Sequence, residues 1–120
     1  MKTKPVLELS DVKKIAAAAE AEALQPQQVQ RLDGAAATSA GIAPAKAHTA
    51  ALARRESKAF EDIINNGRTA FLTAPGIEGL LEGGVPIMKD GQCLGAVGVS
   101  GVKSTEDAQI ARAGIAALGL

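Results

Sequence analysis

The dipeptide Asp90-Gly91 stands between two apolar-rich runs, Val85-Pro86-Ile87-Met88 and Cys93-Leu94-Gly95-Ala96-Val97. Both central positions of a type I′ turn need positive φ, which glycine adopts freely and aspartate tolerates, so the segment predicts a tight antiparallel hairpin. A two-residue turn also fixes the register. Val85, Ile87, Leu94 and Ala96 are expected on one face, and Met88, Cys93 and Val97 on the other. Both faces are then apolar, so helices or another subunit should cover the sheet on both sides. Gly83-Gly84 precedes the first run and Ser100-Gly101 follows the second. Backbone without a Cβ allows close approach, and residues between a strand end and a helix N-terminus present N–H groups to anions. Gly83, Gly84, Ser100 and Gly101 are therefore candidates for a small anion or carboxylate site, and equally for bulges and tight packing.

Helical spacing surrounds the hairpin. Ser10 is placed to cap a helix over residues 11–24, with Val12, Ile15, Ala16, Ala19 and Ala23 on one face. Pro26 ends it; residues 29–32 follow as a short strand and Asp33-Gly34 as a turn. A second helix is expected over residues 39–55, turning Ile42, Ala45, Thr49, Leu52 and Ala53 inward, with its regular part starting at Pro44. Ser57 is placed to cap a third that carries Phe60, Ile63 and Ile64 inward and stops at Asn66-Gly67. Residues 69–73 read as a strand, Ala74-Pro75-Gly76 as a turn and 77–82 as a loop. Ser104 with Asp107 resembles a capping box for a last helix that buries Ala108, Ala111, Ile115 and Leu118. Strands linked as antiparallel neighbours among helices favour an α+β fold over a doubly wound sheet, with residues 1–120 as a single domain.

Composition narrows the function. The chain has two Phe, no Trp, no Tyr and a formal net charge of zero, which removes both base-stacking platforms and the electrostatic footprint for nucleic acid. The lone Cys93 excludes an internal disulfide framework and fits a reducing compartment. No signal peptide is evident, and no run approaches the roughly 18 apolar residues a membrane span needs, so a cytoplasmic protein is expected. There is no Ser-His-Asp, zinc or P-loop signature, and the adjacent Glu61 and Asp62 point apart on a helix. Met88 and Cys93, opposite each other on the hairpin, could be soft metal ligands, but such side chains in strands are usually core filling.

Several blocks together resemble the GlcG/HbpS-like family: Arg31-Leu32-Asp33-Gly34-Ala35, Ala45-Lys46-Ala47-His48-Thr49-Ala50, Gly83-Gly84-Val85-Pro86-Ile87, and Gly95-Ala96-Val97-Gly98-Val99-Ser100-Gly101. Glu106-Asp107 and Ala111-Arg112-Ala113-Gly114 complete the set in the family's order. The resemblance implies a profilin-like sandwich of antiparallel sheet and helices, a homo-oligomer, and for some members binding of haem or a related tetrapyrrole. It implies no single activity. One departure stands out: Leu24 is separated from Arg31 only by Gln25-Pro26-Gln27-Gln28-Val29-Gln30, so most of the family's first hairpin is absent. If haem is the ligand, His48 is the only imidazole available as an axial ligand, the alternative being a surface or interface histidine. Lys46 lies inside a family motif and is a candidate for holding a small organic acid, or else a snorkelling lysine or the partner of Asp33. A tetrapyrrole binder, an organic-acid binder or enzyme of a catabolic operon, and a ligand-free structural oligomer are the three readings.

Overall fold

The computed structural model describes residues 8, 10–11, 13–15 and 37–120. Ser10, Asp11 and residues 13–15 are helical, and Ile15 is buried as expected. The Asp11 carboxylate accepts from the Glu8 amide at 3.0 Å. The rest of the first helix, the strand over 29–32, the Asp33-Gly34 turn and the Arg31–Ala35 block lie outside the described residues.

The order onward is α1 (Ser39–Ala53), α2 (Lys58–Asn65), a 3₁₀ helix (Thr69–Thr73), β1 (Gly84–Lys89), β2 (Gln92–Gly98) and α3 (Ser104–Ala116). β1 and β2 form an antiparallel two-stranded sheet on which α1 and α3 both pack, the α+β arrangement anticipated. Asp90 at φ 51° and Gly91 at φ 76° make the expected turn. Met88 pairs with Cys93, also as expected. Beyond that pair a bulge shifts the register, so Ile87 faces Gly95, Pro86 faces Ala96 and Val85 faces Val97. One residue of phase exchanges faces on a pleated strand, which corrects the expected grouping: Val85 and Ile87 pair with Val97 and Gly95, not with Ala96 and Leu94.

The bulge brings Gly84 opposite Gly98, and α1 lies on that pair. A Cβ on Gly98 would meet the Ala43 carbonyl and, at 3.0 Å, the Ala47 Cβ; one on Gly84 would meet the Lys46 carbonyl and, at 2.9 Å, Ser57 Oγ. The alanines of α1 are thus the small side of a close helix-to-sheet approach. This approach also sets the rotation of α1, burying Ser39, Lys46, Thr49 and Ala50 and leaving Leu52 59% exposed, which corrects the inward placement of Leu52. The helix begins at Ser39 rather than Pro44. Pro44 costs it only one N–H, the one that would reach the Ala40 carbonyl, in a segment rich in alanine. Arg54 closes α1 in the left-handed conformation, its N–H on the Ala50 carbonyl.

Residues 69–73 form a 3₁₀ helix instead of a strand. The Phe71 ring turns back onto Phe60, with centroids 5.6 Å apart, and the Arg68 guanidinium carbon lies over the Phe71 ring, 4.8 Å from its centroid. That local packing overrides the strand preference of Thr69, Phe71 and Thr73, an outcome common where a segment has no strand neighbour. Phe60 is buried while Ile63 and Ile64 are half-buried, and Gly67 at φ 105° ends α2 as expected. The Pro75-Gly76 turn, with Gly76 at φ 80°, and the loop over 77–82 also match expectation.

Candidate functional site

Lys46 is 2% exposed and cannot leave its ammonium unpartnered. Its Nζ donates to the Val99 carbonyl at 3.0 Å and to Asp107 Oδ2 at 3.1 Å. The other Asp107 oxygen accepts from the Val102 amide at 3.1 Å. One buried ion pair therefore ties α1, the exit of β2 and the first turn of α3. Burial raises the Asp107 carboxyl above its ordinary pKa, outweighing the bonds from Lys46 and Val102, which lower it. Gly83 makes room for the pair: at φ 134°, a Cβ there would lie 2.8 Å from Lys46 Nζ and 3.0 Å from Asp107 Cβ. Its carbonyl accepts from the Val99 amide at 3.0 Å, closing the open end of the hairpin.

Two hydroxyls and a carboxylate hold the approach to this corner. Thr49 Oγ1 donates to the Glu78 carbonyl at 2.5 Å and accepts from the Glu78 amide at 3.1 Å. Ser57 Oγ donates to the Leu81 carbonyl at 2.5 Å and accepts from the Gly84 amide at 2.9 Å. Glu61 Oε2 accepts from the Glu82 amide at 3.0 Å. The loop over 77–83 is thus a strap fastened through its backbone to α1, α2 and the residue before α2. Gly79, at φ 61°, lets it lie against Ala45, whose Cβ would sit 2.9 Å from a side chain at that position.

Four of the six candidate residues meet at this corner. Lys46, Gly83 and Gly84 are in contact distance, and Ser100 follows Val99, the carbonyl of which Lys46 holds. Gly101 lies just beyond at φ 145°, with nothing within 4 Å of where its Cβ would be, so its glycine answers to conformation and not to crowding. The N–H groups of Gly84 and Val102 are already bonded to Ser57 and Asp107. Lys46 is neither a snorkelling surface lysine nor paired with a described carboxylate other than Asp107; Asp33 lies outside the described residues. An incoming carboxylate would have to displace Asp107 to reach it. His48 is apart from this corner, exposed on the opposite side of α1 in the same row as Gly41, Pro44 and Leu52.

The caps differ from expectation for one reason. Ser57 precedes α2 but its hydroxyl makes no cap bond, being taken by Leu81 and Gly84. Lys103, not Ser104, is the N-cap of α3, and Asp107 reaches back to Val102 and across to Lys46. Tertiary partners outbid the local ones. Sequence reading missed Asp107 as the counter-charge of Lys46, and Thr49 and Ser57 as fasteners; a lysine on an otherwise alanine face is the signal that a carboxylate must be nearby. Glu61 and Asp62 do point apart, the first to Glu82 and the second to Lys58 at 2.6 Å. Cys93 is a half-buried free thiol within 3.7 Å of the Ala51 carbonyl. Among the described residues no group of three or more His, Cys, Asp or Glu is arranged to hold a metal ion.

A helix seated on a glycine pair of a hairpin, and bolted by a buried lysine to the next helix, defines a small α+β sandwich of a recognisable kind. The chain belongs to the HbpS-like family, described as haem degrading protein HbpS-like, whose pattern it matches over residues 13–116. It is 57% identical over 72 residues to protein GlcG of Escherichia coli K12, a match covering 60% of this chain and 53% of that protein. The aligned part therefore spans about half the length of GlcG. Its fold is similar to the crystal structure of HbpS, at a TM-score of 0.84 and 26% identity, over 100% of this chain and 95% of that one. It is also similar to the crystal structure of the PduOC:heme complex, at a TM-score of 0.80 and 24% identity, over 94% of this chain and 95% of that one.

Proposed function

We propose that this chain is a tetrapyrrole-binding protein with haem as its ligand and His48 as the axial group. Membership of a family described by haem degradation is the observation that carries this reading. The similarity in fold to a haem complex of PduOC is in keeping with it. The residues fit such a group. His48 is the sole histidine, and it is exposed on α1 rather than buried in the core. Gly41, Pro44 and Leu52 occupy the same exposed row, leaving a low, apolar surface on which a flat ring can lie. Arg54 and Arg55, both exposed at the C-terminal end of α1, offer cations to the ring's carboxylates. Haem would supply iron chemistry when bound; the chain supplies the imidazole, the apolar face and the charges that orient it.

The reading is tested by titrating the purified protein with hemin. A saturable Soret shift that disappears in His48→Ala, with the circular dichroism unchanged, supports it; a shift that survives the substitution removes His48 as ligand. A small carboxylate ligand would instead raise the melting temperature without colour, and a ligand-free oligomer would show neither response.

Assembly as a homo-oligomer belongs to the same proposal. Leu52 is 59% and Met88 39% exposed. Leu52 belongs to the His48 row, so a second copy there would close over the same face as the haem, while Met88 is exposed separately at the turn end of the hairpin. A second copy that covers either apolar side chain is consistent with their exposure. No helix among the described residues is long and apolar enough to cross a membrane. A cytoplasmic location belongs to the same proposal, and a chain with one cysteine and no internal disulfide is in keeping with it.

A further inference from the structure

The strap over 77–83 forms one wall of a cleft of about 450 Å³, whose opposite side is α2 and the 3₁₀ helix. This size is within the range of small-molecule sites, roughly 300–1,000 Å³. Leu72, Ile77, Leu80 and Leu81 line it with Ile64 and Asn65, and the ionisable side chains on it are Glu61 and Glu78. No lysine, arginine or histidine lines it, and neither glutamate takes part in an ion pair among the described residues.

The wall is formed in advance. Thr49 fixes both backbone groups of Glu78, Ser57 fixes the Leu81 carbonyl, and Glu61 is itself held on the Glu82 amide. Little ordering entropy is then left to oppose a ligand. With Glu61 and Glu78 on a lining that carries no cation, the cleft repels an anionic group and favours a cation with a hydrocarbon body.

We propose that this cleft binds a small primary ammonium compound with an apolar tail, the ammonium between Glu61 and Glu78 and the tail on Leu72, Leu80 and Leu81. The site is independent of the haem reading: the dianionic edge of a haem is excluded by the same two carboxylates, and His48 does not line the cleft.

The probe is n-hexylammonium chloride, followed by amide and methyl chemical shifts of the whole protein, with sodium hexanoate and hexanol as controls. The expected result is saturable binding of the amine, with shifts centred on Ile77 to Leu81 and an affinity at least tenfold above that of hexanoate. Glu61→Gln with Glu78→Gln, which keeps an acceptor for the Glu82 amide, should weaken the amine at least tenfold and leave hexanol unchanged. Leu72→Arg should abolish amine binding, and at 65% exposure Leu72 can be replaced without opening the core. Equal binding of hexanoate, full affinity in the double variant, or shifts located elsewhere would overturn the proposal, as would the absence of saturation in wild-type protein.

Discussion

Lys46 Nζ and Asp107 Oδ2 lie 3.1 Å apart, with side chains only 2% and 3% exposed, although 61 positions separate them in the chain. The pair joins the helix before the hairpin to the helix after it, and its second bond, to the Val99 carbonyl, fixes where β2 ends. Asp107→Ala takes away the acceptor of both the Lys46 ammonium and the Val102 amide, which protonation of the carboxyl leaves in place, and breaking comparable buried pairs in this way costs about 3–5 kcal/mol. Asp107→Ala should therefore lower unfolding free energy by about that amount. Lys46→Met combined with Asp107→Leu should recover most of it, because both charges are then gone. Urea unfolding of the three proteins checks this. A single variant that costs under about 1 kcal/mol would show that water reaches the site and compensates the charge.

The titration of Asp107 gives the pair a pH signature. Its carboxyl has an ordinary pKa of 3.8, and burial raises it in the folded protein. Below both values the two states are equally protonated at this residue. As pH rises above 3.8, the unfolded chain loses the proton first, so the contribution of Asp107 to stability falls through the window and levels off above the folded value. Acidification toward that window should therefore strengthen wild type relative to Asp107→Asn. Urea midpoints measured over a pH series for both proteins report the difference. The opposite trend would mean that the bonds from Lys46 and Val102 outweigh burial.

These two residues also mark the limit of what the sequence discloses. The hairpin was legible because Asp90-Gly91 is a local signal, and so were the ends of α2 and the Pro75-Gly76 turn. The register beyond Met88 was not, since a bulge is decided by what packs on the sheet, here the Gly84–Gly98 pair beneath α1. The 3₁₀ helix at 69–73 follows from the Phe60–Phe71 contact, which no propensity records. Of the candidate site, Lys46 and Gly83 were found as positions but not as a packed unit, because the partner of Lys46 is remote in sequence and Asp107 has a plausible local role as a cap. The placement of Ser57 and Thr49 on the strap was invisible for the same reason.

Glycine substitutions separate packing from conformation. At Gly98 an added methyl would press on the Ala43 carbonyl and on Ala47, so Gly98→Ala should destabilise by about 1–3 kcal/mol through displacement of α1. Gly41 is the third residue of α1, in its first turn, with nothing within 4 Å of its missing Cβ. Gly41→Ala should stabilise through helix propensity alone, by less than the roughly 1 kcal/mol of a mid-helix site. Melting temperatures that move in opposite directions for these two variants are the expected result. A shared direction would contradict the close approach of α1 to the Gly84–Gly98 pair.

The strap offers a last test, because its fastening is concentrated in few atoms. Ser57 Oγ alone satisfies the Gly84 amide and the Leu81 carbonyl, and Ser57 is fully buried. Ser57→Ala removes the acceptor from a buried N–H and should cost about 1–3 kcal/mol. The loss should also be local. Hydrogen exchange at the Gly84 amide should accelerate well beyond that of the β2 amides, since a free strap opens without unfolding the hairpin. Ser57→Cys keeps a weak acceptor at nearly the same place and should fall between wild type and alanine. If exchange accelerates uniformly across β1, β2 and the strap, Ser57 supports the whole fold and the strap is not a separate unit.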